Sequence, residues 1–158
     1  MCGRNFEYMG EDPYLAAQTS SGYIRGLQEN GVMAVIKHFT ANFQEYDRNY
    51  VSSDSDERTL NEMYFPTFKA ATQQAEVGAV MSSYNLLNGV LTTEDPWLLK
   101  KVLRKKWGCN GLVVSDWGST HNCVPAATSG LDLEMASNEI QNEEALRSYI
   151  ATGEIKME

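Results

Sequence analysis

Short apolar runs without polar alternation recur along this chain, each ending in an abrupt return to polar residues, the pattern of strands covered on both faces. Val32-Met33-Ala34-Val35-Ile36 leads into Lys37-His38-Phe39, and Val77-Gly78-Ala79-Val80-Met81 leads into Ser82-Ser83-Tyr84-Asn85. Gly111-Leu112-Val113-Val114 leads into Ser115-Asp116-Trp117-Gly118, and Gly130-Leu131-Asp132-Leu133-Glu134-Met135 is a shorter candidate with carboxylates near its end. Segments of helical spacing separate the runs. Asp12-Pro13 predicts an N-cap and first helical position, with Leu15, Ala16, Tyr23, Ile24 and Leu27 as the apolar face and Gly31 as the stop. Asp56 opens a second helix, whose stripe is Leu60, Met63, Tyr64, Phe68 and Ala71 and which Pro66 should kink or interrupt. Asp95-Pro96 opens a third, marked by Leu98, Leu99, Val102, Leu103 and Trp107 and closed by Gly108. A weak helix follows around Val124 to Thr128, and a last one from about Glu139 to Ile150. Asn88-Gly89 predicts a tight turn, and a long polar connection runs from Thr40 to Ser55.

Helices alternating with strands predict an α/β fold with a parallel sheet. Four such units amount to about half of a (β/α)8 barrel, which takes about 250 residues, whereas this chain has 158. The expectation is a partial TIM-like (β/α)8 barrel, roughly its C-terminal half, over residues 1–158 with no internal domain boundary.

The formal charge of -8 argues against a nucleic-acid partner. The basic group Lys100, Lys101, Arg104, Lys105 and Lys106 fits the end of a helix, where cations complement the dipole. No apolar run approaches the ~20 residues that span a bilayer, so no membrane partner is expected. Cys2, Cys109 and Cys123 have neither metal-ligand spacing nor the even count of a disulfide scaffold, although one pair could bridge. Without a phosphate-binding glycine loop or a dinucleotide fingerprint, no cofactor or metal is expected. The lack of an Asn-x-Ser/Thr acceptor slightly favours a cytoplasmic over a secreted setting.

Chemistry gathers at the strand ends: Lys37 and His38 after the first run, Met81 and Tyr84 after the second, Asp116 and Trp117 after the third, Glu134 after the fourth. Parallel strands would bring these groups to one rim, where α/β folds place ligands. Asp116 is the candidate nucleophile, since an ionised carboxylate can attack an anomeric carbon while a second carboxyl protonates the leaving oxygen. Lys37, His38 and Arg4 could donate to hydroxyls, Met81 and Trp117 could pack against a ring, and Tyr84 could bond near the nucleophile. Each has a plainer reading: Asp116 as a turn cap, Trp117 and Met81 as core, His38 as a satisfied buried residue, Lys37 and Arg4 as solvated charges, Tyr84 as a loop residue. For the second carboxyl, Glu7, Glu45, Asp132 and Glu134 stay open.

These motifs, in this order, resemble the family-three glycoside hydrolases and especially their β-glucosidases. The resemblance rests on Gly3-Arg4-Asn5-Phe6-Glu7 with Glu11-Asp12-Pro13, Lys37-His38-Phe39, Asp56-Glu57-Arg58-Thr59-Leu60, Met81-Ser82-Ser83-Tyr84-Asn85 with Asn88-Gly89, Val113-Val114-Ser115-Asp116-Trp117-Gly118 and Gly130-Leu131-Asp132-Leu133-Glu134-Met135. It implies that Asp116 is the nucleophile, that Arg4, Lys37 and His38 bind sugar hydroxyls, that Tyr84 lies near the nucleophile, and that Met81 and Trp117 shape the pocket. It further implies a retaining hydrolase of terminal β-D-glucosyl units, with a β-glucoside or short oligosaccharide as ligand. In the family the acid/base glutamate comes from a following α/β domain, and an earlier strand supplies a sugar-binding aspartate. This chain lacks both, so it is expected to be a fragment, inactive alone, that needs the N-terminal barrel portion and the acid/base domain. A non-catalytic carbohydrate-binding or interaction fragment is the alternative, and a Schiff-base lyase using Lys37 a more distant one.

Overall fold

The structure, a computed structural model, describes residues 3–156. Asp12 accepts the Leu15 N–H at 2.7 Å and Pro13 fills the next position, so α1 (Pro13–Glu29) starts where the cap pattern places it. Its buried face is made of small residues, Ala16, Ala17, Ser20 and Ser21, together with Ile24. Leu15 and Tyr23, expected on that face, are exposed.

Three parallel strands form the main sheet in the order β1 (Val35–Phe39), β3 (Ala79–Ser82), β6 (Leu112–Val114). β1 begins three residues after the start of the apolar run, because Val32 and Met33 face outward while Lys37 and His38 belong to the strand. Gly111 sits at the entry to β6, where an added Cβ would lie 2.7 Å from the Gly78 carbonyl oxygen and also strike that of Val77. The fourth expected strand reduces to one parallel bridge, Val114 to Leu133. Asp132 turns instead to Arg104 and the Val113 N–H, and Glu134 to the backbone of residues 140 and 141. The α/β class holds, with an open sheet among the described residues.

The polar connection after β1 carries β2 (Ser52–Ser53), which pairs in parallel with β4 (Leu86–Leu87). β4 and β5 (Val90–Leu91) form a hairpin turned by Asn88 and Gly89, whose φ values of 50° and 83° meet the left-handed demand of such a turn. Asp56 caps α2 (Glu57–Thr59), which widens into a π-helical turn, Leu60–Tyr64, before Pro66 starts α3 (Pro66–Ala75). The proline therefore interrupts the helix as its missing N–H requires. Asp95 opens the π-helix Trp97–Lys106 by accepting the Trp97 and Leu98 N–H groups. α4 (Cys123–Ser129) and α5 (Glu143–Ala151) complete the chain, α5 beginning at the Asn142 cap rather than at Glu139.

The core lies between the sheet and these helices. Fully buried Phe39 stacks obliquely on Phe68 at 5.0 Å and on Trp107 at 5.7 Å, with Leu60, Val80, Leu98, Leu103 and Val113 around them. Each such side chain contributes about 1.5–3 kcal/mol on burial, which makes the sheet a rigid base for the groups at its carboxyl edge.

Candidate active site

Asp116 stands two residues beyond β6 with its side chain almost fully buried. Its Oδ1 accepts two directed hydrogen bonds, from the Tyr84 hydroxyl at 2.8 Å and the Trp117 N–H at 2.7 Å. Its Oδ2 is treated differently. The His38 Nε2 lies 3.0 Å away without an aligned N–H···O bond, and the Arg4 Nη1 lies 3.9 Å away. Burial opposes the charge on Asp116, but the approach of His38 and the two donors on Oδ1 outweigh it and hold the carboxyl below the usual carboxylate range. The aspartate is thus kept ionised while one oxygen stays free of directed donors.

A second layer of charge surrounds it. Glu7, in a short 3₁₀ turn (Asn5–Glu7), binds Arg4 through Oε1 and the Lys37 ammonium through Oε2 at 2.9 Å. Burial pushes the Glu7 carboxyl up, and the bonds from Lys37 and Arg4 outweigh that and bring it below its ordinary value. Desolvation lowers Arg4, but Glu7 and the more distant Asp116 and Glu45 carry it above the ordinary arginine value. Arg48 bonds Glu45 at 2.8 Å and lays its guanidinium 3.8 Å above the Tyr84 ring. Burial, together with the bond to the Asp116 carboxylate, raises the Tyr84 phenol, so it stays protonated and donating.

Five of the residues expected at the site therefore meet around one carboxylate or its first ring of partners: Asp116, Tyr84, His38, Arg4 and, through Glu7, Lys37. Met81 is half-buried on β3, paired in register with Val114, and Trp117 is 64% exposed beside Asp116. Neither is core, which leaves the Trp117 face open to a ligand. The four candidate second carboxylates are all engaged elsewhere: Glu7 and Glu45 by arginines and Lys37, Asp132 by Arg104 at 2.5 Å, and Glu134 by the N–H groups of Ile140 and Gln141. Lys37, ion-paired to Glu7, is placed as a cationic donor rather than as a free amine nucleophile.

Arg48 is the site residue that the pattern did not single out. It lies in an irregular polar loop 36 positions before Tyr84, and no local periodicity links the two. Among the described residues no cluster of three or more His, Cys, Asp or Glu side chains could hold a metal ion. Cys109 and Cys123 are buried free thiols, and Cys2 lies outside the described residues.

Comparison with known proteins bears on this arrangement. Residues 2–158 match the glycosyl hydrolase family 3 N terminal domain. A β-glucosidase of Rhizobium radiobacter is 51% identical over 156 residues, covering 99% of this chain and 19% of that protein. A GH3 β-glucosidase of Bifidobacterium adolescentis superposes with a TM-score of 0.93 at 42% identity, over 98% of this chain and 23% of its own. β-Glucosidase 3B of Thermotoga neapolitana, solved with glucose, gives 0.92 at 41% identity over 99% and 23%. The chain spans about a fifth of the length of the curated relatives it matches. With this chain matched over residues 2–158 by the family's N-terminal domain, the chain belongs to glycosyl hydrolase family 3.

Proposed function

We propose that this chain carries the nucleophile and part of the sugar-binding rim of a retaining β-glycosidase that removes terminal non-reducing β-D-glucosyl units. The observation that carries the proposal is the Asp116 carboxylate, buried and held ionised by Tyr84, the Trp117 N–H and His38 at the carboxyl end of a parallel strand. An Asp116 oxygen bonds to the anomeric carbon as the aglycone oxygen leaves with a proton from a carboxylic acid. Water, deprotonated by the same acid group, then displaces Asp116 with net retention. Arg4, Lys37 and His38 are assigned as donors to the sugar hydroxyls, and Met81 and Trp117 as walls of the pocket.

The acid/base group is assigned to a part of the parent enzyme outside this chain. Each carboxylate near Asp116 among the described residues is already paired, and the chain spans only about a fifth of its relatives. The parallel order β1-β3-β6 supports reading the fold as roughly the C-terminal half of a (β/α)8 barrel. The chain alone is then expected to bind sugar weakly and not turn it over. The glucose complex of the Thermotoga neapolitana relative supports glucoside as the ligand class.

Mass mapping after treatment with an activated 2-deoxy-2-fluoroglucoside tests the proposal. The complete enzyme should carry the sugar on the peptide containing Asp116, and Asp116→Ala should abolish it. A stoichiometric adduct on another residue would reject the assignment, and efficient turnover by the isolated chain would reject the division of labour.

A further inference from the structure

The two oxygens of Asp116 are held unequally, and the cause of the difference sits one residue further out. Oδ1 is saturated by Tyr84 and the Trp117 N–H, whereas Oδ2 has only the His38 Nε2 at 3.0 Å, without an aligned N–H···O bond. Yet a guanidinium lies 3.9 Å from Oδ2 of a carboxylate whose side chain is only 9% exposed, where an arginine ordinarily closes onto a carboxylate. Arg4 does not close because Glu7 holds its Nε, and Glu7 is itself fixed from the other side by Lys37 at 2.9 Å. The remaining acidic neighbour of Arg4, Glu45, is 3.9 Å from Nε and is committed to Arg48 at 2.8 Å.

We propose that Glu7 is a positioning residue that restrains Arg4, keeping the guanidinium off Oδ2 of Asp116, the attacking oxygen, and fixing Arg4 and Lys37 as sugar-hydroxyl donors. This rests on the reading of Asp116 as the glycosidase nucleophile. Charge bookkeeping supports it: Arg4, Lys37 and Arg48 are matched by Glu7, Glu45 and Asp116. Remove the charge of Glu7 and Arg4 is left with Asp116 as its nearest carboxylate not already committed to another cation. The guanidinium then rotates onto Oδ2, and the lone pair needed for attack is occupied. Glu7 touches neither the nucleophile nor, in this assignment, the reacting carbon.

The test uses the complete enzyme with Glu7→Gln, which keeps the shape and removes the charge, and Glu7→Asp, which keeps the charge and shortens the reach. In Glu7→Gln, fluoroglucosyl adduct formation on Asp116 should slow by about ten-fold or more. The acid limb of kcat/KM should move to lower pH as Arg4 closes on Asp116. The groups facing Asp116 are otherwise unchanged: His38 from β1, Tyr84 after β3 and the Trp117 N–H. Glu7→Asp should recover part of the rate. In an Arg4→Met background, the Glu7→Gln change should have much less effect, because the residue that Glu7 restrains is gone. A purely structural role would lower the melting temperature, leave the acid limb in place and give additive losses in the double variant. That result, or an adduct rate in Glu7→Gln equal to that of the parent, would overturn the proposal. Should Glu7→Gln fail to fold, a Glu7→Asp enzyme with unaltered adduct rate and acid limb would overturn it equally. If the unsubstituted enzyme forms its adduct elsewhere, it is the nucleophile assignment that has failed.

Discussion

Replacing Tyr84 by Phe isolates one of the hydrogen bonds that, with His38 and the Trp117 N–H, hold Asp116 ionised. The substitution deletes one hydroxyl, 2.8 Å from Oδ1, and keeps the buried ring on which Arg48 lies. A hydrogen bond to a charged group contributes about 1.5–3 kcal/mol. The lower end applies here, because the Trp117 N–H remains on the same oxygen at 2.7 Å and water can partly replace the hydroxyl. Since 1.36 kcal/mol corresponds to a factor of ten, the balance between carboxylate and carboxyl forms of Asp116 should shift by roughly ten-fold toward the protonated form. In sign, the intact site holds Asp116 below the ordinary range, so its ionised form persists to lower pH than a free aspartate's. Without the phenol this advantage shrinks, and the acid limb of kcat/KM moves up in pH. The assay is a pH profile of kcat/KM for an aryl β-glucoside, measured on parent and Tyr84→Phe enzymes between about pH 3 and 8, the span over which carboxylates and histidine titrate. The loss of rate should be largest at acid pH and smallest at neutral pH. An acid limb that stays in place would show that Tyr84 does not stabilise the ionised nucleophile. A shift to lower pH would contradict the geometry outright.

Other sites give independent checks. Lys37→Met removes a cationic donor, and kcat/KM should fall roughly ten- to hundred-fold; a deoxyglucoside lacking the hydroxyl it binds should show no further loss, and equal losses for every deoxy analogue would remove Lys37 from the sugar subsite. Gly111→Ala forces a methyl against the carbonyls of Val77 and Gly78 and should cost about 1–3 kcal/mol in denaturant unfolding; an unchanged midpoint would mean that the β3–β6 spacing is not as tight as described. Glu134→Gln loses the charged acceptor for the Ile140 and Gln141 N–H groups, so stability should drop by about 1–3 kcal/mol while the Asp116 adduct forms at the parental rate. A slowed adduct with unaltered stability would move Glu134 from loop staple to chemistry.

Asp116 was legible in the sequence because Leu112, Val113 and Val114 form a strand too short and apolar to be anything else, with Val113 and Val114 buried, so the first charge after them had to lie at the sheet edge. The same logic misplaced β1. Val32 and Met33 look like strand interior yet are exposed, while Lys37 and His38, which look like loop, lie within the strand. A binding residue can occupy a strand position that a core residue would normally fill, and hydrophobic pattern then points to the wrong register. The fourth strand shrank to a single bridge, although the backbone of Asp132 and Leu133 still bonds to Val113 and Ser115, and the carboxylates of Asp132 and Glu134 turn to Arg104 and to backbone N–H groups. The ring of charge was less legible still. Arg4 and Glu7 share one turn and Glu45 and Arg48 one loop, but Lys37 and Tyr84 come from other segments, and sequence spacing has no means of showing that Arg4 and Lys37 share one glutamate.

That invisibility follows from how such a site is stabilised. An ion pair at a wet surface contributes little, and a charge deep in the protein is costly without a partner. The ring around Asp116 lies between these limits, with side-chain exposures from 9% at Asp116 to 43% at Glu45. There, direction matters more than net attraction: an arginine drawn by two carboxylates goes to the one that offers the shorter contact. Glu7, itself steadied by Lys37, offers that contact, and the guanidinium stays 3.9 Å from Oδ2 of Asp116. A nucleophile needs its charge stabilised and its attacking lone pair unoccupied, and these demands conflict when a single set of donors must meet both. Under the proposed assignment of Asp116 as nucleophile, dividing them between Oδ1, with Tyr84 and Trp117, and Oδ2, with Arg4 kept 3.9 Å away, resolves the conflict by geometry.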